Sequence, residues 1–136
     1  MKSYTLIEQA KKLAEFLPPE SADMYYFLDP TPAGNIYHVV IPQIDFGIKT
    51  REPEYNKGDI PCWSLVALLS LLPNNEHIET TISRGSWKID TIEYLPNTWW
   101  CEYEDNESLT EFNTSADNPV DACYEMVTKL HELKLL

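Results

Sequence analysis

The sequence predicts an α+β domain in which an antiparallel sheet of about five strands packs against helices, in the order α-ββ-α-βββ-α. Three stretches carry apolar residues at helical spacing, and the strand candidates between them are rich in β-branched and aromatic residues. Helices do not alternate regularly with strands, so nothing requires a parallel sheet. A chain of 136 residues fits one domain over 1–136.

The first helix is predicted over 6–17, because Thr5 and Glu8 match a capping box and Pro18 ends the apolar repeat. Two strands follow at 24–28 and 36–41, separated by turn-forming residues that indicate a hairpin with a long loop. Prolines and glycines with mixed charges then make 42–60 the longest irregular connection.

The central helix is predicted over 61–72. Between Pro61 and Pro73 only Ser64 and Ser70 are polar. Such a segment is apolar almost all round its helical wheel, so we expect the fold to enclose it. It is too short to span a bilayer, which takes about 20 apolar residues.

A meander of three strands is predicted at 78–82, 87–95 and 98–104, with turns at Arg84–Gly85 and Pro96–Asn97. These two turns would place paired side chains on opposite faces. Either the middle strand carries a β-bulge near Asp90–Thr91, which is the favoured interpretation, or both faces of the sheet are partly covered. The acidic segment 102–118 is predicted as a loop. Asn118 is then expected to cap the last helix, with Pro119 at its first position.

The net charge of −12 is uneven, with −3 over residues 1–72 and −9 over residues 73–136. Such a field repels phosphate backbones and anionic lipids, so neither direct nucleic-acid binding nor membrane binding is expected. The core of a signal peptide is an uninterrupted apolar run, whereas charged residues interrupt the segment 6–17. This segment is therefore not expected to be a signal peptide. Three unevenly spaced cysteines in apolar surroundings indicate reduced core thiols and a cytoplasmic protein.

A thiol hydrolase is one alternative. Cys62 lies at the predicted start of the central helix, where a thiolate is stabilised, and His77 would serve as base with Asp90 orienting it. The glycine-bearing lead-in of such enzymes is missing, and buried cysteine is a common small hydrophobic residue. A structural Cys62 is therefore the stronger interpretation.

No metal or cofactor is expected. The three histidines are far apart in sequence, and no Cys-x-x-Cys or His-x-x-x-His pair is present. The carboxylates of 102–107 lack the EF-hand pattern, and four scattered glycines do not form a phosphate loop.

The leading hypothesis is a non-catalytic protein that binds an unidentified protein partner. Strand alternation places Trp100 on one face with Glu102 and Glu104, and an exposed tryptophan amid charge is typical of an interface hot spot. Asp105 and Glu107 extend this acidic surface. A helix or the acidic loop covering Trp100 is the competing interpretation. A further alternative is an acidic decoy that occupies a nucleic-acid enzyme.

Three local patterns occur together: Pro61-Cys-Trp-Ser-Leu65, Trp99-Trp-Cys-Glu-Tyr103, and the closing Asn118-Pro-Val-Asp-Ala-Cys-Tyr-Glu-Met126 with Lys129-Leu-His-Glu-Leu133. In them the chain resembles a family of small uncharacterised proteins of gut-bacterial genomes and their phages or mobile elements. The resemblance begins at Pro61. It implies a cytoplasmic protein of mobile-element origin and assigns no catalytic residue, ligand or partner.

Overall fold

The computed structural model describes residues 2–40, 44–45, 48–49, 59–88 and 90–136. The chain divides into two compact units, an N-terminal unit of Tyr4–Ala67 and a C-terminal unit of Met1–Ser3 with Leu68–Leu136. The elements in chain order are α1 (Ile7–Ala14), a 3-10 turn (Pro19–Ser21), β1 (Met24–Thr31), β2 (Gly34–Val40), β3 (Ile44–Asp45), β4 (Ile48–Lys49), β5 (Ile60–Cys62), α2 (Leu65–Leu71), β6 (Ile78–Lys88), β7 (Glu93–Asp105), β8 (Thr110–Ala116) and α3 (Pro119–Glu132).

The α+β class and its antiparallel pairing are confirmed, but the single five-stranded sheet and the predicted order are wrong. Two three-stranded antiparallel sheets are present, ordered β2-β1-β5 and β6-β7-β8, together with the short β3-β4 pair. The difference arises because Ile60–Cys62 pairs with the start of β1 as an extra strand before α2. None of the helices in the described ranges combines the length and apolar character that a membrane crossing requires.

The core of the N-terminal unit is built around Trp63, which is fully buried. Its indole N–H donates to Ser21 Oγ at 3.0 Å, and its backbone N–H donates to Thr5 Oγ1 at 3.2 Å. The Thr5 N–H donates to the Trp63 carbonyl at 2.9 Å, and the Tyr26 hydroxyl donates to the Thr5 carbonyl at 2.6 Å. These bonds satisfy polar groups that burial would otherwise leave without partners.

Thr5 is therefore an interior residue, and the predicted capping box is wrong. Leu6 occupies the N-cap of α1, and its backbone N–H donates to Gln9 Oε1 at 2.9 Å. The side-chain amide of Gln9 therefore accepts the N-cap hydrogen bond that the sequence predicts for Glu8.

The central helix begins at Leu65 and not at Pro61, because Pro61 and Cys62 extend the sheet beside β1. Ser64 Oγ accepts the Ala67 N–H at 3.2 Å, and the Ser64 N–H and hydroxyl both donate to the Asp23 carboxylate. Enclosure on all sides is also wrong. Leu68 is fully buried, whereas Val66 is 71% exposed.

In the C-terminal unit, β6 and β7 form one long hairpin, so the predicted turns at Arg84–Gly85 and Pro96–Asn97 are wrong. The chain reverses between Lys88 and Glu93, which pair with each other. The register shifts between Arg84 and Ser86, opposite the segment that contains Pro96. Proline lacks an N–H for the ladder and glycine accepts the φ of +87° found at Gly85, so both residues fit an irregularity within a strand.

The predicted loop at 102–118 contains β8, which pairs with β7 from Thr110 opposite Asp105 to Ala116 opposite Trp99. Phe112 stacks on Tyr103 with ring centroids 4.8 Å apart. The last helix follows the prediction, since Asn118 Oδ1 accepts the Asp121 N–H at 2.9 Å. Elements α3, β7 and β8 pack together, and their shared core contains the following buried residues: Cys101, Tyr103, Val120, Cys123, Met126, Val127 and Leu130.

Candidate functional site

The sheet of the C-terminal unit has one face that turns away from the buried Cys101 and Tyr103. Strand alternation and register place nine residues on it in three cross-strand rows. Eight of the nine are exposed, and Trp100 is half-buried. We call this surface the acidic face; its rows are Glu79–Glu104–Glu111, Thr81–Glu102–Asn113 and Ser83–Trp100–Ser115.

The row Glu79–Glu104–Glu111 places three carboxylates directly opposite one another on adjacent strands. Directly opposed residues have Cβ atoms about 4.5–5.5 Å apart, and like charges at that spacing destabilise a sheet. The nine residues of the face include four carboxylates and no cation. The arrangement therefore costs folding free energy, which a cationic partner would recover.

We expect Glu104→Gln to raise the free energy of unfolding by about 0.5 kcal/mol, because Glu104 is the only member of its row with a carboxylate on both sides. Glu102→Gln is the matched control. Its cross-strand neighbours are the uncharged Thr81 and Asn113, so a smaller gain is expected. Urea unfolding at low salt measures both values, and added NaCl should shrink the difference. Equal gains for the two variants would contradict the account.

Trp100 lies two residues from Glu102 along β7, and both cross-strand neighbours of Trp100 are serines. Its indole nitrogen is enclosed and has no hydrogen-bond partner within the described part of the chain. A large ring between two short side chains, one row from the carboxylate of Glu102, joins an apolar surface to a charged one. This combination is typical of residues that dominate binding energy at interfaces.

The turn between β7 and β8 continues the acidic surface. Asp105 Oδ1 accepts the backbone N–H groups of Glu107 at 2.9 Å and Ser108 at 3.2 Å. Interactions with the Ser108 side chain and backbone, followed by the Glu107 N–H, lower the pKa of Asp105. Asp105 therefore stabilises the turn in its ionised form, as an acceptor of these two backbone hydrogen bonds. Glu107 is exposed and lies 3.9 Å from His77 Nε2.

Leu109 ends this turn with an 88% exposed side chain and a φ of +57°. A left-handed backbone costs an L-residue roughly 1–2 kcal/mol, and glycine avoids that cost at an entropic penalty of about 0.5–1 kcal/mol. We expect Leu109→Gly to raise the free energy of unfolding by about 0.5 kcal/mol, measured by urea unfolding. Leu109→Ala keeps the strain, and a similar gain there would show that removal of the exposed side chain is the cause.

Cys62, the candidate nucleophile, is fully buried. Its Sγ lies 3.6 Å from both Thr5 Oγ1 and the Thr5 carbonyl oxygen, and burial raises the pKa of the thiol. A reactive cysteine needs a lowered pKa and access to substrate, so this environment favours the structural interpretation.

His77 and Asp90 are the residues proposed to act with Cys62. His77 Nε2 lies 3.5 Å from Glu76 Oε1, and Asp90 is exposed near the β6–β7 reversal. The structure gives no contact that joins His77 to Asp90 in the way a catalytic pair requires. Within the described ranges, no group of three or more histidine, cysteine or acidic side chains could hold a metal ion.

Sequence reasoning missed two carboxylates of the acidic face, Glu79 and Glu111. Glu111 lies in the segment 102–118, which the sequence predicts as a loop because polar residues dominate it. The alternation of Phe112 and Thr114 with Glu111 and Asn113 was the available signal for a strand. Glu79 becomes a neighbour of Glu104 only through the β6–β7 register, which is not a local property of the sequence.

Among the described residues, the geometry therefore supplies an open acidic face and a buried Cys62 thiol whose pKa is raised by burial. Comparison with known proteins gives no match to a family model, to a curated protein or to a solved structure.

Proposed function

We propose that this is a non-catalytic binding protein whose acidic face contacts a protein that presents lysine and arginine side chains. The observation that carries the proposal is the exposed row Glu79–Glu104–Glu111, in which like charges oppose one another on three strands. Cations from a partner would remove that repulsion. Complementary charge of this kind increases association rates and selects among partners.

Trp100 and the β7–β8 turn would add apolar contacts to this charge. Half-buried Trp100 lies one row beyond Glu102, and exposed Leu109 lies just before Thr110, which opens β8 beside the carboxylate row. An apolar anchor bordered by charge gives both affinity and orientation. The cytoplasmic location and mobile-element origin implied by the sequence resemblance belong to the same proposal.

The test is cross-linking capture from a cell lysate, with three proteins compared by quantitative mass spectrometry. The first is the wild type, and the second carries Glu79→Gln, Glu104→Gln and Glu111→Gln. The third carries Glu15→Gln, Glu20→Gln and Glu132→Gln, three exposed positions outside the acidic face that give the same change in net charge. We expect a basic protein that the wild type and the third protein capture and the second loses. Equal capture by all three would contradict the proposal.

Competition with duplex DNA tests whether the acidic face acts as a decoy that occupies the nucleic-acid-binding surface of an enzyme. If the captured protein uses its basic surface for nucleic acid, DNA should displace it from the acidic face. If DNA has no effect, the partner's basic surface serves protein contact alone. Binding should weaken with added salt in both cases, because exposed charges are screened.

A further inference from the structure

A cleft of about 390 Å³ lies in the C-terminal unit, apart from the nine residues of the acidic face. This unit has five lysines and arginines against thirteen carboxylates, yet two of the five cations meet here. The lining residues are Lys2, Arg84, Asn97, Trp99, Asp117 and Asn118.

Arg84 is held in place by a hydrogen bond and a ring contact within the described residues. Its Nε donates to the Pro96 carbonyl at 3.0 Å, and its guanidinium carbon lies 5.9 Å from the ring centroid of Trp99. No carboxylate among the described residues pairs with it at ion-pair distance. Its terminal N–H groups therefore stay available, and the planar guanidinium matches a carboxylate in a two-point contact.

The other charged lining residues limit the charge of a ligand. Lys2 Nζ lies 2.5 Å from Asp121 Oδ1, so part of its charge is already neutralised. Asp117 accepts a bond from Asn118 Nδ2 at 2.9 Å and keeps a negative charge at the cleft. With Asp121 counted beside its partner Lys2, two cations and two carboxylates leave no net formal charge at the cleft, and Arg84 is the lining cation that no described carboxylate pairs with. A monoanion at Arg84 adds one negative charge beside Asp117, whereas a phosphate dianion adds two and is repelled more strongly by Asp117 and by the net charge of −12.

We propose that this cleft binds a monoanionic carboxylate group in a two-point contact with Arg84, with the Asn97 amide beside it and the Trp99 ring available to an apolar part of the ligand. Pockets for small ligands have volumes of roughly 300–1,000 Å³, so a small organic acid or the end of a peptide fits. The inference is independent of the function proposed for the acidic face, because none of its residues belongs to that face.

The experiment is an NMR titration of the isotope-labelled full chain at constant ionic strength, with backbone signals of Asn97 and Trp99 as the readout. Sodium benzoate is the small-acid probe and benzamide its neutral counterpart. N-acetyl-trialanine with a free carboxyl end is the peptide probe, with its C-terminal amide as control. We expect saturable shifts with the acids and none with the neutral compounds. Saturation by benzoate alone identifies a small acid, and tighter binding of the peptide acid identifies a chain terminus.

Arg84→Gln should weaken binding of the acid about tenfold or more, as loss of hydrogen bonds to a charged group implies. Arg84→Lys keeps the charge without the two-point geometry, so it should weaken binding severalfold even if the glutamine variant folds poorly. Lys12→Gln, an exposed site in the N-terminal unit, is the matched charge control and should bind like the wild type. Absence of saturable shifts, or unchanged binding by Arg84→Lys, would overturn the proposal.

Discussion

Replacement of Trp63 with alanine is expected to lower the free energy of unfolding by about 3–5 kcal/mol. The side chain is fully buried, so its removal leaves a cavity and costs the transfer free energy of the ring. The Ser21 hydroxyl also loses the donor that lies 3.0 Å away. Domains are stable by only about 5–15 kcal/mol, so this variant should be partly unfolded at moderate temperature. Urea unfolding followed by circular dichroism measures the loss.

Trp63→Phe separates packing from hydrogen bonding. It keeps an aromatic ring but removes the indole N–H and part of the volume, so a loss smaller than that of Trp63→Ala is expected. If Trp63→Ala unfolded with the same urea midpoint as the wild type, Trp63 would not be the centre of this core.

Tyr103→Ala is expected to cost a similar amount, about 3–5 kcal/mol, in the C-terminal unit. Tyr103 is 1% exposed on the central strand β7 and stacks on Phe112 at an interplanar angle of 19°. Lys129 Nζ lies 4.7 Å from the centroid of the Phe112 ring. Loss of the tyrosine ring would therefore disturb the contact between sheet and helix as well as leaving a cavity. Thermal and urea unfolding measure the effect.

Tyr103→Phe is the matched variant, because it keeps the stacked ring and removes only the hydroxyl. The described structure gives that hydroxyl no hydrogen-bond partner, so a change under about 1 kcal/mol is expected. A loss as large as that of Tyr103→Ala would show that the hydroxyl, and not the stacked ring, stabilises this core.

The last helix was predictable from the sequence because its signals are local. Asn118 caps it, Pro119 occupies its first position, and Val120, Cys123 and Val127 form its buried stripe. Each of these features depends on residues within a few positions of one another. The start of α2 was mispredicted because Pro61, which suits the first turn of a helix, also suits a short strand beside β1.

The turns of the long hairpin were mispredicted because proline and glycine have two structural uses. Gly85 and Pro96 are turn formers in isolation, but they lie at a register shift within paired strands. The pairing of Lys88 with Glu93 places the reversal elsewhere, and that pairing is visible only in three dimensions. The single-domain organisation stays a prediction.

The candidate site was predictable in the part that follows from strand alternation. Trp100, Glu102 and Glu104 share a face because side chains alternate along one strand. The complete acidic row also needs Glu79 and Glu111, which come from neighbouring strands. Cross-strand neighbours depend on register, so a single sequence leaves them undetermined.

The most direct test of the central claim is a chemical-shift map with a defined basic peptide of alternating lysine and alanine. We expect saturable shifts concentrated at Glu79, Glu102, Glu104 and Glu111, and we expect the variant with Glu79→Gln, Glu104→Gln and Glu111→Gln to lose them. Shifts spread evenly over the carboxylates of the chain, or unchanged in that variant, would contradict the claim that the acidic face is the binding surface.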